Sequence, residues 1–319
     1  MIEHVLSYSI AHTGASPGVA HSNGGFDMQR RRATYGLLFG AIACGVSAFT
    51  LASRAPVAAA SSVESTYRAP GAATVTTTSF TDTATGYAFQ VRYPSTLGNG
   101  GTRHPLVTWG NGSDAVPSQY NGLLDHLASW GFVVVASTST QTGTGAEILA
   151  GARAMVAADA DPASPFFGTI DTGNVAAVGH SQGAGGSVRA SIAGSDLITT
   201  TVPIALPAQI WVSKPADAYD VTQLTAPVFF VGGSLDLLIS SALVNVGYYH
   251  QVPGAAAVAM LRWADHNTIQ GTGGRFLGYI TAWLRYQLAG DPVAATAFTG
   301  ATPEFRTNSA WAWQFAKHL

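Results

Sequence analysis

The stretch Val175-Ala-Ala-Val-Gly-His-Ser181-Gln-Gly183-Ala-Gly-Gly constrains this chain more than any other. A short apolar run leads into Gly-His-Ser-Gln-Gly, which has the form G-x-S-x-G, and small residues follow. In its usual setting this pattern is a nucleophile elbow, in which a buried strand turns sharply into a helix and holds one serine at the tip. The turn strains the backbone at the serine, and the neighbouring positions must be nearly bare, hence a glycine two residues before it and another two after. A glycine-rich turn with a buried serine would give the same pattern. The weight therefore falls on whether the rest of the chain supplies Ser181 with a base, an acid, oxyanion donors and a cleft.

The framework such an elbow needs is legible from residue 61 onward. Residues 74–80 and 87–93 alternate and are rich in β-formers, with Thr85-Gly86 as the turn of a hairpin. Apolar strands are predicted at 105–109, 132–136, 175–179, 200–206, 228–231 and 257–263. Helices are predicted at 119–130, at 145–158 with Thr144 as its cap, at 184–193, near 240–249 and at 274–288. Residues 161–174 read as a loop. The tail from Asp291 reads as irregular, with Trp311 and Trp313 packed on the body. Strands alternating with helices of about a dozen residues imply an α/β fold, with a mostly parallel central sheet and helices on both faces. In open sheets of this kind the site lies beyond the carboxyl ends of the strands.

That placement selects the partners. A serine hydroxyl needs a base to take its proton, and the base needs an acid to orient it. His104 and His126 precede Ser181, whereas the chain order around such an elbow is Ser, acid, His. His180 is adjacent to the serine and points elsewhere, and His318 is near the terminus. His266 lies on a loop just past the strand 257–263, while His250 follows a helix and reads as a cap, so His266 is the candidate base. Asp236, just past the apolar run Val228-Phe-Phe-Val, is the candidate acid. Asp217 and Asp220 lie in the loop before that strand and read as solvated, and Asp265 is too close in sequence to reach the ring of His266. The oxyanion hole needs two main-chain N–H groups. Gln182 supplies one, and the turn Gly110-Asn111-Gly112-Ser113 supplies the other, with Asn111 the first choice and Gly112 the second. Gly112 and Trp211 are further candidates for substrate contact. Residues 207–226 are too few for a large lid domain.

Residues 1–60 read as an N-terminal extension with an export signal. Arg30-Arg31-Arg32 precedes the apolar run 35–52, and Ala55-Pro-Val-Ala-Ala-Ala60 supplies an A-x-A exit, with cleavage near Ala60 and Met28 as the candidate start. An uncleaved anchor and twin-arginine export are the alternatives. Residues 1–60 hold four arginines against two acids, so cleavage takes the net charge from −2 to −4 and removes Cys44, the only cysteine. The expected product is a secreted, monomeric domain, 61–319, without disulfides and without a membrane span. Only 10% of residues are charged, against roughly 25% in an average soluble chain. No basic stripe is present to hold nucleic acid. Neither a cofactor nor a metal is expected, since no His/Glu spacing of the metal-binding kind occurs.

From about Thr74 to the C-terminus the chain resembles the α/β-hydrolase fold, and within it the secreted bacterial esterases related to cutinase-like polyester hydrolases and dienelactone hydrolases. The resemblance rests on Leu127-Ala-Ser-Trp-Gly-Phe-Val-Val-Val135, Ser164-Pro-Phe-Phe-Gly-Thr-Ile-Asp171, the elbow itself, Gly232-Gly-Ser-Leu-Asp236 and His266. It implies hydrolysis of small or polymeric carboxylic esters through an acyl-enzyme, with Ser181, Asp236 and His266 as the triad. The chain departs from the polyester-degrading pattern at Asn111, at Gln182 and in lacking cysteines for a C-terminal disulfide. Amide hydrolysis, and a non-catalytic exported binding protein of the same fold, are the competing readings.

Overall fold

A computed structural model describes residues 62–319. The extension and export signal read into residues 1–60, with Met28 and Cys44, lie outside the described residues. The described residues form a nine-stranded sheet whose strands are β1 (Val75–Thr81), β2 (Ala88–Pro94), β3 (His104–Gly110), β4 (Val133–Ser137), β5 (Ile170–His180), β6 (Thr200–Ile204), β7 (Val228–Gly233), β8 (Ala256–Leu261) and β9 (Trp311–Lys317). Their order across the sheet is β1-β2-β4-β3-β5-β6-β7-β8-β9. From β4 to β8 all neighbours run parallel, while β1, β2 and β9 pair antiparallel at the two ends.

β4 and β6 through β8 are buried along their whole length. They can be so apolar because helices cover both faces. Val107, Trp109 and Val134 face a core shared with α2 (Asn121–Ser129) and α6 (Phe276–Ala289). Leu106, Val133 and Val135 face the other side, against α3 (Ala146–Ala160). The same side continues over β7 and β8, where Phe230 and Val258 meet Tyr248 of α5 (Ala242–Gln251). The chain leaves β3 for β4 on one side and enters β5 on the other. The carboxyl ends of β3 and β5 therefore flank a switch point, where a crevice opens.

Several boundaries differ from expectation. The helix predicted over 119–130 begins as a 3-10 turn at Pro117–Tyr120, because proline fits a first turn and the Gln119 side chain accepts from the N–H of Val116. β5 begins at Ile170 rather than 175. Its polar start pairs with His104 and Pro105 before a register shift, a long-range pairing that composition hides. Gly145, not Thr144, caps α3, although Thr144 Oγ1 still accepts from the N–H of Ala146.

The tail is not irregular. Asp291 caps the short α7 (Pro292–Ala295), α8 (Glu304–Thr307) follows, and β9 pairs with the otherwise open edge of β8. Trp311 is buried as expected, but Trp313 is 45% exposed at a φ of 54°. A short helix missed in the sequence, α1 (Val63–Arg68), inserts Glu64 beside Arg275, Asn308 and Trp311. Among the described residues no helix is long and apolar enough to cross a membrane.

Candidate active site

Ser181 sits between β5 and α4 (Gln182–Ala193) with φ 55° and ψ −119°, a conformation that L-residues rarely adopt. Packing enforces the turn. A Cβ on Gly179 would stand 2.1 Å from the carbonyl oxygen of Gly183, and a Cβ on Gly183 would stand 2.3 Å from that of Gly110. Strand, helix and the neighbouring strand β3 thus meet through glycine alone. The serine N–H donates to the carbonyl of Ile204 on β6 at 2.9 Å, which fixes the tip to the sheet.

The structure brings three of the sequence candidates into one chain of contacts. Ser181 Oγ is 2.8 Å from Nε2 of His266, and Nδ1 of the same ring is 2.5 Å from Oδ2 of Asp236. Each comes from a different strand end, after β5, β8 and β7 respectively. Asp236 is buried, and its second oxygen accepts the N–H groups of Ile239 at 3.2 Å and Ser240 at 3.1 Å. Burial alone would raise its carboxyl pKa. The bond from His266 and those two N–H groups outweigh burial and hold it below the ordinary 3.8. Asp265 turns away, accepting from Thr268 Oγ1 and the N–H of Asn267. His250 lies in the last turn of α5.

The turn after β3 divides its residues between packing and the cleft. Asn111 is wholly buried: Oδ1 accepts from Trp109 Nε1, and Nδ2 donates to the carbonyls of Ser137 and Ser139. The N–H of Gly112 is already given to Tyr120 Oη at 3.1 Å. Ser113 is the residue of this turn that lines the cleft beside Ser181 and Gln182. The phase of such a turn is invisible in sequence.

That cleft, about 210 Å³, is walled by Ser113, Gln182, Pro207, Trp211, Tyr219 and Ile239. Trp211, a candidate contact from the sequence, is half exposed there and donates from Nε1 to the carbonyl of Leu238 at 2.7 Å, tying the 207–226 segment to the loop of Asp236. Gln182 Nε2 donates to Gln141 Oε1 and Asp217 Oδ2, so Asp217 belongs to the cleft rather than to a solvated turn. Beside the lining residues Trp211 and Ile239 in sequence, Ile210, Leu237 and Leu238 are 72–87% exposed. Their sizes were legible, but not that the loops would turn them outward.

His180 is the residue whose role the sequence hid. It is buried, with Nδ1 3.0 Å from Tyr120 Oη and Nε2 2.8 Å from the carbonyl oxygen of His266.

Residues 48–310, most of the chain, match the family described as PET hydrolase-like (PETase). Two curated relatives from Thermobifida alba are similar: cutinase est2, 27% identical over 202 residues, and cutinase est1, 28% identical over 202 residues. Each match covers 59% of this chain and 64% of the relative, so the chain spans under two thirds of the length of the curated relatives it matches.

Proposed function

This chain belongs to the PET hydrolase-like family and has its α/β-hydrolase fold, and from that premise we propose that it is a serine hydrolase of carboxylic esters working through an acyl-enzyme. One observation carries the reading: a serine held at positive φ is in hydrogen-bond reach of an imidazole whose other nitrogen meets a buried carboxylate. As Ser181 Oγ attacks the ester carbonyl carbon, its proton passes to His266 Nε2. Asp236 accepts from Nδ1–H, holds the ring and stabilises the imidazolium. The oxyanion takes hydrogen bonds from the N–H of Gln182 and, in place of Asn111, from that of Ser113. Gln182 opens a 12-residue helix, whose positive end adds to this stabilisation. His266 then gives the proton to the leaving alkoxide. A water, deprotonated by the same nitrogen, releases the acid.

Polymeric esters are the finer reading. The exposed apolar residues Ile210, Leu237 and Leu238, next to the cleft-lining Trp211 and Ile239, favour a substrate presented as a water-insoluble surface. The polar Gln182–Asp217 contact narrows the cleft's apolar lining and favours smaller esters within it. Export after cleavage near Ala60, leaving 61–319 as a monomeric hydrolase domain, completes the proposal. N-terminal sequencing of the exported protein tests that part.

The test of the activity is hydrolysis of p-nitrophenyl butyrate by the purified full chain. Turnover that disappears in a folded Ser181→Ala variant supports the reading. Absence of turnover in the unmodified chain, or its persistence in Ser181→Ala, overturns it.

A further inference from the structure

Between the oxyanion turn and the base lies a buried polar chain that ester hydrolysis does not itself require. Tyr120 and His180 are both buried, and the tyrosine ring packs on Trp109 with centroids 4.8 Å apart. The N–H of Gly112 donates to Tyr120 Oη at 3.1 Å. At the other end a carbonyl can only accept, so the 2.8 Å contact between His180 Nε2 and the carbonyl oxygen of His266 requires the proton on Nε2. A neutral imidazole protonated there accepts at Nδ1, and the Tyr120 hydroxyl, 3.0 Å away, donates to it. Each link dictates the direction of the next.

We propose that His180 is a positioning residue: with Tyr120 it forms a one-way hydrogen-bond relay from the N–H of Gly112 to the carbonyl of His266, which sets the place of the base relative to Ser181 and the oxyanion turn. The inference rests on the reading of Ser181 and His266 as nucleophile and base. Reversing the tautomer would point a lone pair of His180 at the carbonyl oxygen of His266 and push that loop outward. The relay stays neutral. Burial first, and the nearby His266 ring at 4.9 Å second, push the His180 pKa down to about 3. Gly112 completes the packing, since a Cβ there would come 3.0 Å from Tyr120 Oη, 3.1 Å from His180 Nδ1 and 3.5 Å from Ser181 Cβ. Turn, relay and nucleophile are therefore mutually in contact.

The experiment uses the full chain, with p-nitrophenyl butyrate turnover and histidine ¹⁵N NMR as readouts. Tyr120→Phe is expected to lower kcat on the order of ten-fold with KM nearly unchanged, because a displaced base costs rate rather than binding. His180→Gln, which keeps a donor and an acceptor, is expected to retain more kcat than His180→Leu, which has similar size and neither. The ¹⁵N shifts of His180 are expected to show protonated Nε2 and unprotonated Nδ1. Wild-type kcat in both Tyr120→Phe and His180→Leu, or a proton on Nδ1, overturns the proposal. Should His180→Leu not fold, Tyr120→Phe and the spectrum decide. Failure of the hydrolase reading looks different: the unmodified chain has no turnover, while the tautomer still reports on the relay.

Discussion

Gly179 and Gly183 lie back to back across the elbow, so close that a Cβ on the first would sit 2.1 Å from the carbonyl oxygen of the second. The obstacle is backbone, which cannot step aside as a side-chain end can. Gly179→Ala is therefore expected to destabilise the fold by about 3 kcal/mol and to abolish ester turnover. Urea unfolding and p-nitrophenyl butyrate hydrolysis measure the two effects. A variant of wild-type stability and rate would mean that the elbow is not built this way.

If Ser113 gives its main-chain N–H to the oxyanion, its side chain should matter little and its N–H much. Ser113→Ala is expected to keep kcat within about three-fold, whereas Ser113→Pro, which lacks the donor, should lose about 10²–10³. Steady-state kinetics on a soluble ester separates them. Equal losses in the two variants would return the second donor to Asn111 or elsewhere in 110–113.

The strand-end logic made Asp236 and His266 legible, because each follows an uninterrupted apolar run, β7 or β8, whose carboxyl end the parallel sheet aims at one rim. Ser181 announced itself through its glycines. The turn after β3 was legible as a segment but not residue by residue, since turn phase decides that Asn111 is buried and Ser113 lines the cleft. Nothing local marks His180, whose partners are Tyr120, sixty residues away, and His266. The C-terminal strand does carry a period-2 signal in Trp311, Trp313 and Phe315, but one short run at the chain's end does not reveal that it pairs with β8. α1 was hidden because a helix of 6 residues is held by tertiary contacts rather than by its own propensity.

Those contacts predict a pH dependence of stability. Burial would raise the carboxyl pKa of Glu64, but hydrogen bonds from Arg275, Asn308 and Trp311, with the charge of Arg275, hold it below its ordinary 4.5. A depressed folded-state value contributes stability that is present above the unfolded value and fades as pH falls through the folded one. The urea midpoint should therefore decline below about pH 4.5, and Glu64→Gln should flatten that decline. At pH 7 the variant should be less stable by about 2 kcal/mol, below the usual cost of breaking a buried pair because Arg275 is 43% exposed. An unchanged pH profile in Glu64→Gln would remove Glu64 from the account.

The apolar mouth separates surface-bound from dissolved substrates. Leu237 and Leu238 are 72% and 77% exposed, so replacing both with lysine should change stability by no more than about 0.5 kcal/mol. Adsorption to a polyester film, and hydrolysis of it, should fall several-fold, with kcat/KM for p-nitrophenyl butyrate nearly unchanged. Equal effects on film and dissolved ester would assign these leucines to the cleft and not to a docking surface.

Covalent labelling tests the centre of the account most directly. A fluorophosphonate probe should form one adduct on the full chain, mapped by mass spectrometry to Ser181. The rate should fall by about 10²–10⁴ in His266→Ala, where the base is missing, and be reduced in Asp236→Asn. No adduct, an adduct on another residue, or labelling indifferent to His266 would contradict the assignment of Ser181 as an activated nucleophile.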